Sequence, residues 1–444
     1  MTLASLFNLG LIVVSSAATA APTQGWPMLM GGPSHAGRSG AQERFAPAGM
    51  NLSWQFDVHA QVSASPVAVG QQLFVAAENG NLYALDLASH KLQWLFHGRA
   101  GIGSTPAVAN GVVYILGRDG VFQALNAVNG APLWSFRTQG EPGFSAYGMF
   151  GQPLGQAMVP DPWDFYQSSP LVHDGKVYFG SSDEHVYALD ARTGRLVWAY
   201  KTGGMVHSSP ALAGANIVVG SWDGALYALD AASGQQRWRF QTETEQKTSI
   251  LRGIQASPSV DHGVVYIGSR DGHFYAIDAL SGAQKWRYDT QGSWVVSTAA
   301  VDDSQVYFGT SDTALLIALD KASGKEKFRH PTKVWTFASP LRVGDAVIGA
   351  SVKGELFALD VQTGLRRWQY QTAEGGEDAY AIMQAASGQF DNTRLFGSAP
   401  HQLQAALEHV KRLGAFLSSP LWHKGQLIVA TANGQVLVFG KLAK

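Results

Sequence analysis

A Ser/Thr-Pro step recurs along this chain at Pro66, Pro106, Pro170, Pro210, Pro258, Pro340 and Pro420, and an eighth copy, Thr298-Ala299, keeps the surroundings without the proline. Successive copies lie 40, 64, 40, 48, 41, 41 and 80 residues apart, so the base period is about 40 with three lengthened gaps. A period of roughly 40 to 45 residues built from strand signals belongs to four-stranded blades arranged around an axis. Length alone, 444 residues, would suggest about three domains. The period makes it one ring.

The copy at Pro210 shows what one period contains. Short β-branched or aromatic runs follow at Ala211-Leu212, Asn216 to Gly220, Ala225 to Asp230 and Gln236 to Phe240, each bounded by turn residues. The middle hairpin closes on Asp223-Gly224, and elsewhere on Asn79-Gly80, Asp119-Gly120, Asp271-Gly272 or Asn433-Gly434, pairs that tolerate the positive φ of a two-residue turn. The next turn reads Asp-x-x-Ser/Thr-Gly, as in Asp190 to Gly194, Asp230 to Gly234, Asp278 to Gly282 and Asp360 to Gly364. An aromatic then marks the fourth strand: Trp94, Trp134, Trp198, Trp238, Trp286, Phe328 and Trp368. The last copy ends at Phe439 without a fourth strand, whereas Trp54 precedes the first copy in the same local pattern, Leu52-Ser53-Trp54-Gln55-Phe56. The expectation is an all-β, eight-bladed propeller of four-stranded antiparallel blades, closed by the N-terminal strand so that only short, protected edges remain. These aromatics, Trp54 included, are read as blade-docking positions, because they recur in most copies where chemistry would single out one or two.

Composition removes several function classes. With 46% hydrophobic and 11% aromatic residues the chain can bury a large core, which excludes disorder. A net charge of −1 without a basic tract argues against nucleic acid as a partner. The absence of cysteine excludes disulfides, thiolate metal sites and a cysteine-linked lipid anchor. Leu6 to Val14 is apolar apart from Asn8 and is followed by Ala18-Thr19-Ala20-Ala21. This predicts a signal peptide over 1–20, cleaved after Ala20, and a periplasmic or secreted protein. Residues 21–50 form a lead-in and 51–444 the propeller. No other run has the length of a transmembrane segment.

All three lengthened gaps join a fourth strand to the next first strand, so in a propeller they emerge on one face. Residues 138–166 are rich in Gly, Pro and aromatics, 241–255 are polar, and 373–416 carry a helical pattern, a helical insertion between blades 7 and 8. Leu403, Leu407, Val410 and Leu413 mark one helix face and Gln404, Glu408, Lys411 and Arg412 the other; Ser398 and Gly414 suit its ends. Long loops on a rigid scaffold are where binding is placed. Trp163, Tyr166, His207, Arg252, Gln255, Trp294 and Trp335 are therefore the candidate binding residues of the axial mouth. Taken singly, His207, Arg252, Gln255, Trp294 and Trp335 are accounted for more readily by packing, and Trp222 and Trp422 by packing as easily as by recognition. Asp161, Asp164, Glu243, Glu245, Glu374, Glu377 and Asp378 lie in the insertions, where they could fold back over the axis. No metal-ligand or catalytic spacing emerges from them. The sixth copy is the weakest, with Ala299 for proline, Phe328 for tryptophan and one extra residue between Gly309 and Asp320, which predicts a bulge or lengthened turn.

The copies Tyr187-Ala188-Leu189-Asp190-Ala191-Arg192-Thr193-Gly194-Arg195-Leu196-Val197-Trp198 and Tyr275-Ala276-Ile277-Asp278 through Trp286 resemble the pyrroloquinoline-quinone (PQQ) type propeller repeat. The lead-in, Trp26-Pro27-Met28 with Gly32-Pro33-Ser34-His35-Ala36-Gly37, is similar to the opening segment of envelope proteins in that family. The resemblance covers nearly all of 26–440 and implies one of two functions. Quinoprotein dehydrogenases oxidise alcohols or sugars with PQQ and calcium, a catalytic Asp and, in many members, a disulfide of adjacent cysteines. Envelope propellers of the outer-membrane assembly factor BamB type are non-catalytic. The missing cysteines and acid-poor inner segments favour the second branch. The expectation is a monomeric protein-binding or scaffold module of the cell envelope, without cofactor, metal or lipid anchor, meeting an envelope protein or extended ligand on its insertion face. The alternative is a PQQ- and calcium-dependent dehydrogenase.

Overall fold

In the computed structural model of the chain, the described residues are 25–40, 42–147, 158–243, 253–396 and 400–440. The signal segment, Arg252, Glu245 and Ser398 lie outside them. Eight four-stranded antiparallel sheets form the blades of a propeller ring. The third is representative: Leu171–His173 innermost, then Lys176–Gly180, His185–Asp190 and Leu196–Lys201, paired in sequence order. The eighth consists of Leu421–His423, Gln426–Ala430 and Gln435–Phe439, and Leu52–Asp57 pairs antiparallel along its outer edge with Trp54 opposite Val438. The ring thus closes by joining the two ends of the propeller.

Second and third strands are apolar on both faces because each blade lies between two others. Phe122 stacks on Phe179 of the next blade at 4.3 Å, and Phe274 on Phe308 at 4.1 Å. On the outer strands the aromatic and the turn are one device. Trp94, Trp134, Trp198, Trp238 and Trp286 donate Nε1–H, at 3.0 to 3.1 Å, to the carbonyl just behind the Asp or Asn of the next blade's turn. Trp368 donates in the same way to Met50. The indole covers that turn's glycine: Gly194 has φ +71°, and a Cβ there would stand 2.4 Å from Trp134 Cε3. Trp54 meets His90 instead, stacked at 4.9 Å. Phe328 has no N–H to give, and Gln305 Nε2 donates to the Val361 carbonyl in its place at 3.0 Å. The sixth blade's middle turn is lengthened, with Ala314 at φ 50°.

The Ser/Thr-Pro step fastens the centre. Its second hydroxyl accepts the backbone N–H of the equivalent residue one blade earlier, so that Ser65 N–H reaches Thr105, Thr105 reaches Ser169, Ser169 reaches Ser209 and Ser209 reaches Ser257. Beyond a gap between Ser257 and Thr298 the series resumes from Thr298 to Ser339, Ser419 and back to Ser65. These seven bonds measure 2.8 to 3.0 Å and form a belt around the axis. The gap falls at the copy that lacks proline, where Ser259 Oγ donates to the Ala299 carbonyl instead.

The lead-in differs from the four-strand expectation by adding a fifth, two-residue strand, Gly25–Trp26, to the inner edge of the first blade. It then runs past the inner strands and accepts their backbone N–H groups in turn: Val108 to Pro27, Leu212 to Pro33, Val260 to Ser34, Val301 to Ala36 and Arg342 to Gly37. It therefore covers inner-strand N–H groups that would otherwise lack partners on the axis.

Candidate functional site

The described parts of the 138–166 insertion, 138–147 and 158–166, fold back over the axial mouth, and their carboxylates hold them there. Asp161 accepts from Arg270 Nη1 at 2.6 Å, and both side chains are at most 1% exposed. Arg270 lies between the rings of Trp222 and Trp294, its Cζ 4.4 and 4.2 Å from their centroids, an arrangement that suits a planar cation. It also donates to Gln255 Oε1 at 2.6 Å, and Gln255 Nε2 donates to the Trp163 carbonyl at 3.0 Å. Phe144 stacks on Trp222 at 3.9 Å. Trp163 meets Trp335 edge-on at 4.7 Å, and Trp335 packs on Phe390 of the 373–416 insertion at 4.5 Å.

A second set of contacts runs from Asp164 to Glu141. His207 Nδ1 lies 2.6 Å from Asp164 Oδ1 and Nε2 lies 2.7 Å from Ser182 Oγ, whose hydroxyl donates to Glu141 Oε2 at 2.8 Å. Glu141 also accepts from Ser181 Oγ and Ser182 N–H. Burial disfavours the charged imidazole, yet Asp164 and Glu141 hold His207 above its ordinary value. Burial likewise works against the Asp164 carboxylate, but His207 and the Phe144 N–H keep it below the usual range. Burial pushes Glu141 up, outweighing its bonds from Ser181 and Ser182. Carboxylate, imidazole and hydroxyl stand in the order of a nucleophile triad. Here, however, the Ser182 proton points to Glu141, and His207 Nδ1, besides facing Asp164, receives the Trp222 Nε1–H at 3.3 Å. The set fastens the insertion.

Tyr166 donates to the Leu417 carbonyl at 2.9 Å. The helix Pro400–Arg412 buries Leu407 and Val410, Leu413 just beyond its end is buried with them, and Gly414 follows at φ +69°. On its other side Glu408 accepts from Gln61 and Lys411 at 2.6 and 2.7 Å. Between this helix and the 138–166 insertion lies an open cleft of about 260 Å³ lined by Gln61, Glu78, Arg118, Phe165 and Lys411. Arg118 holds Glu78 through two 2.7 Å bonds, which overcome the effect of burial and keep that carboxyl below its ordinary value.

The structure thus brings Trp163, His207, Gln255, Trp294 and Trp335 together at the axial mouth, each less than a tenth exposed and packed into one plug. Arg252 lies outside the described residues. Of the acidic candidates, Asp161 and Asp164 reach the axis. Glu243 instead pairs with Arg287 and His273, Glu374 accepts from Asn433, and Asp378 bonds the Ile382 and Met383 N–H groups. Sequence reasoning missed Arg270, Ser182 and Glu141. Arg270, Ser182, Trp222, Arg118 and Glu78 occupy one position of the repeat, just ahead of Asp/Asn in the middle hairpin, where the residue changes from copy to copy while its neighbours recur. That contrast was the available signal.

A quinone would have to enter this axial space. Below the plug the remaining cavity measures about 40 Å³, against roughly 300 Å³ or more for a pocket that takes a drug-sized molecule. Among the described residues no group of three or more His, Asp or Glu side chains is placed to hold a metal ion. The residues present do not fit PQQ with calcium.

Among solved structures, the chain is similar to BamB from Moraxella catarrhalis, with 16% identity over 89% of this chain and 98% of that one and a TM-score of 0.62. It is also similar to the quinohemoprotein alcohol dehydrogenase from Comamonas testosteroni, with 15% identity over 96% and 82% and a TM-score of 0.69, and to the computationally designed Ika8 protein, with 14% identity over 87% and 98% and a TM-score of 0.61. At these identities the likeness speaks for the fold. No curated protein sequence matches the chain. The profile of the family described as outer membrane protein assembly factor BamB matches residues 43–161, 150–290, 223–398 and 270–439, and with nearly the whole propeller covered the chain belongs to that family of PQQ-like repeat propellers.

Proposed function

We propose that the protein is a non-catalytic scaffold of the cell envelope that binds a protein partner on its insertion face. The observation that carries this reading is the plug. Arg270, sandwiched by Trp222 and Trp294 and bonded to Asp161, fills the axis where a dehydrogenase would need a cofactor pocket. Gln61, Glu78, Arg118 and Lys411 line an open cleft on this face, as polar groups do in a protein-binding rim. Export to the periplasm through the 1–20 segment fits the family and completes the reading. No helix among the described residues is long and apolar enough to cross a membrane.

The test places a photo-crosslinking amino acid at Gln404 or Arg412, both exposed on the helix Pro400–Arg412, and at Ser233 on the opposite turns as a control. Crosslinking to one envelope protein from the helix positions and not from Ser233 is the expected result. Saturable PQQ binding with calcium, accompanied by dye reduction with alcohols or sugars, would overturn the reading in favour of a quinoprotein dehydrogenase.

A further inference from the structure

The belt that joins the blades also surrounds a small chamber. Seven of its eight hydroxyl groups accept a backbone N–H, which orients the oxygen lone pairs towards the neighbouring blade. A hydroxyl has one proton left to donate, and among the described residues no protein acceptor takes it from any member of the belt. The cavity of about 40 Å³ is lined by this ring together with Leu29 of the lead-in and Tyr166, His207 and Phe337.

Two further features set the polarity of the chamber. Gln167, 4% exposed, lines the chamber and accepts the Gly103 N–H through Oε1 at 3.0 Å, which leaves its Nε2 buried without a partner. No carboxylate lines the cavity. The lining therefore supplies a ring of hydroxyl groups, between apolar Leu29, Val296 and Phe337, and no counter-charge for a cation.

We propose that this axial chamber is a binding site for a small monovalent anion of the halide class, held by the belt hydroxyls and Gln167 Nε2. The volume admits about three water-sized bodies, enough for one such ion with its remaining water. The ion would link all eight blades through groups that each blade already contributes to the belt, independently of any partner on the insertion face.

Crystals grown in sodium bromide test this directly. The expected result is one anomalous peak on the propeller axis within hydrogen-bonding distance of Gln167 Nε2. In solution, replacing gluconate by bromide or chloride at matched ionic strength should raise the unfolding temperature in a saturable way. Gln167→Glu keeps the acceptor for Gly103 and replaces the donor with a carboxylate. Thr298→Val removes one donor from the hydroxyl that takes no belt bond. Halide affinity should fall at least about tenfold in Q167E, and by a smaller factor in T298V, which preserves shape and hence the fold. Bromide at surface positions only, an adventitious ion, would overturn the proposal. So would a halide-dependent shift that is unchanged in both variants.

Discussion

Asp161 accepts a 2.6 Å hydrogen bond from Arg270 across 109 residues of sequence, and the pair is closed off from solvent. Burying two charges is costly, and the pair is favourable only because both are fully engaged. Asp161→Ala should therefore destabilise the protein by about 3–5 kcal/mol, since it leaves the guanidinium buried between two indoles without its counter-charge. Replacing both residues by leucine should recover most of that loss. Urea unfolding of the three variants checks the order, with chymotryptic cleavage in 138–166, which holds Phe144, Tyr147 and Phe150 but no Lys or Arg, as a local readout.

The docking turns give a purely steric prediction. Gly234 has φ +74°, and a Cβ there would stand 2.6 Å from Trp198 Cδ2. Gly234→Ala is therefore strained both by its backbone conformation and by the indole, and should cost about 1–3 kcal/mol in thermal unfolding. Gly214, also at positive φ but with nothing within 4 Å of its Cβ position, is the control. Gly214→Ala should cost clearly less.

These two positions illustrate what could be read beforehand. Gly234 belongs to a turn that recurs with the period, and repetition exposes a structural device without any knowledge of contacts. Ring closure was legible for the same reason, from Trp54 standing one fourth strand too early. Asp161 and Arg270 were not, because the insertion has no period and nothing in the spacing says which blade it meets. The lead-in was opaque too. Its bonds to Val108, Leu212, Val260, Val301 and Arg342 run through its backbone carbonyls, which leave no mark on side-chain identity. The belt lies between these cases. The Ser/Thr-Pro step was plain, but that its hydroxyl spans two blades follows only from the ring.

Gln305 and Phe328 should behave as alternatives. In most copies a tryptophan N–H reaches the carbonyl behind the turn Asp; in the sixth blade Gln305 Nε2 supplies that donor to Val361. Gln305→Leu leaves the buried carbonyl without it and should cost about 1–3 kcal/mol. Phe328→Trp should change stability little in the wild-type background and restore much of the loss in the Gln305→Leu background. A double-mutant cycle by chemical denaturation measures the coupling. Additive effects would sink the exchange of donors.

The Asp164–His207–Ser182–Glu141 series makes the hold on the insertion depend on pH. The charged groups facing His207 are Asp164 and Glu141 of the insertion and Arg118 of the second blade, while Arg270 acts on Asp164. His207 binds its proton more tightly when folded, so its contribution is complete below an unfolded value of about 6.5 and is lost as pH rises through the higher folded value. Glu141, also raised, acts in the same direction, its contribution declining as pH rises from about 4.3 through its folded value. Asp164, lowered, contributes above about 3.9 and loses its share as pH falls through its folded value. The insertion should therefore be held best in mildly acid solution and loosen towards alkaline pH. Hydrogen exchange at the Phe144 and Trp163 amides, corrected for the intrinsic pH dependence of exchange, should show protection falling above about pH 7. In His207→Gln that alkaline decline should shrink to the part due to Glu141. A decline of undiminished size in the variant would remove His207 from the account.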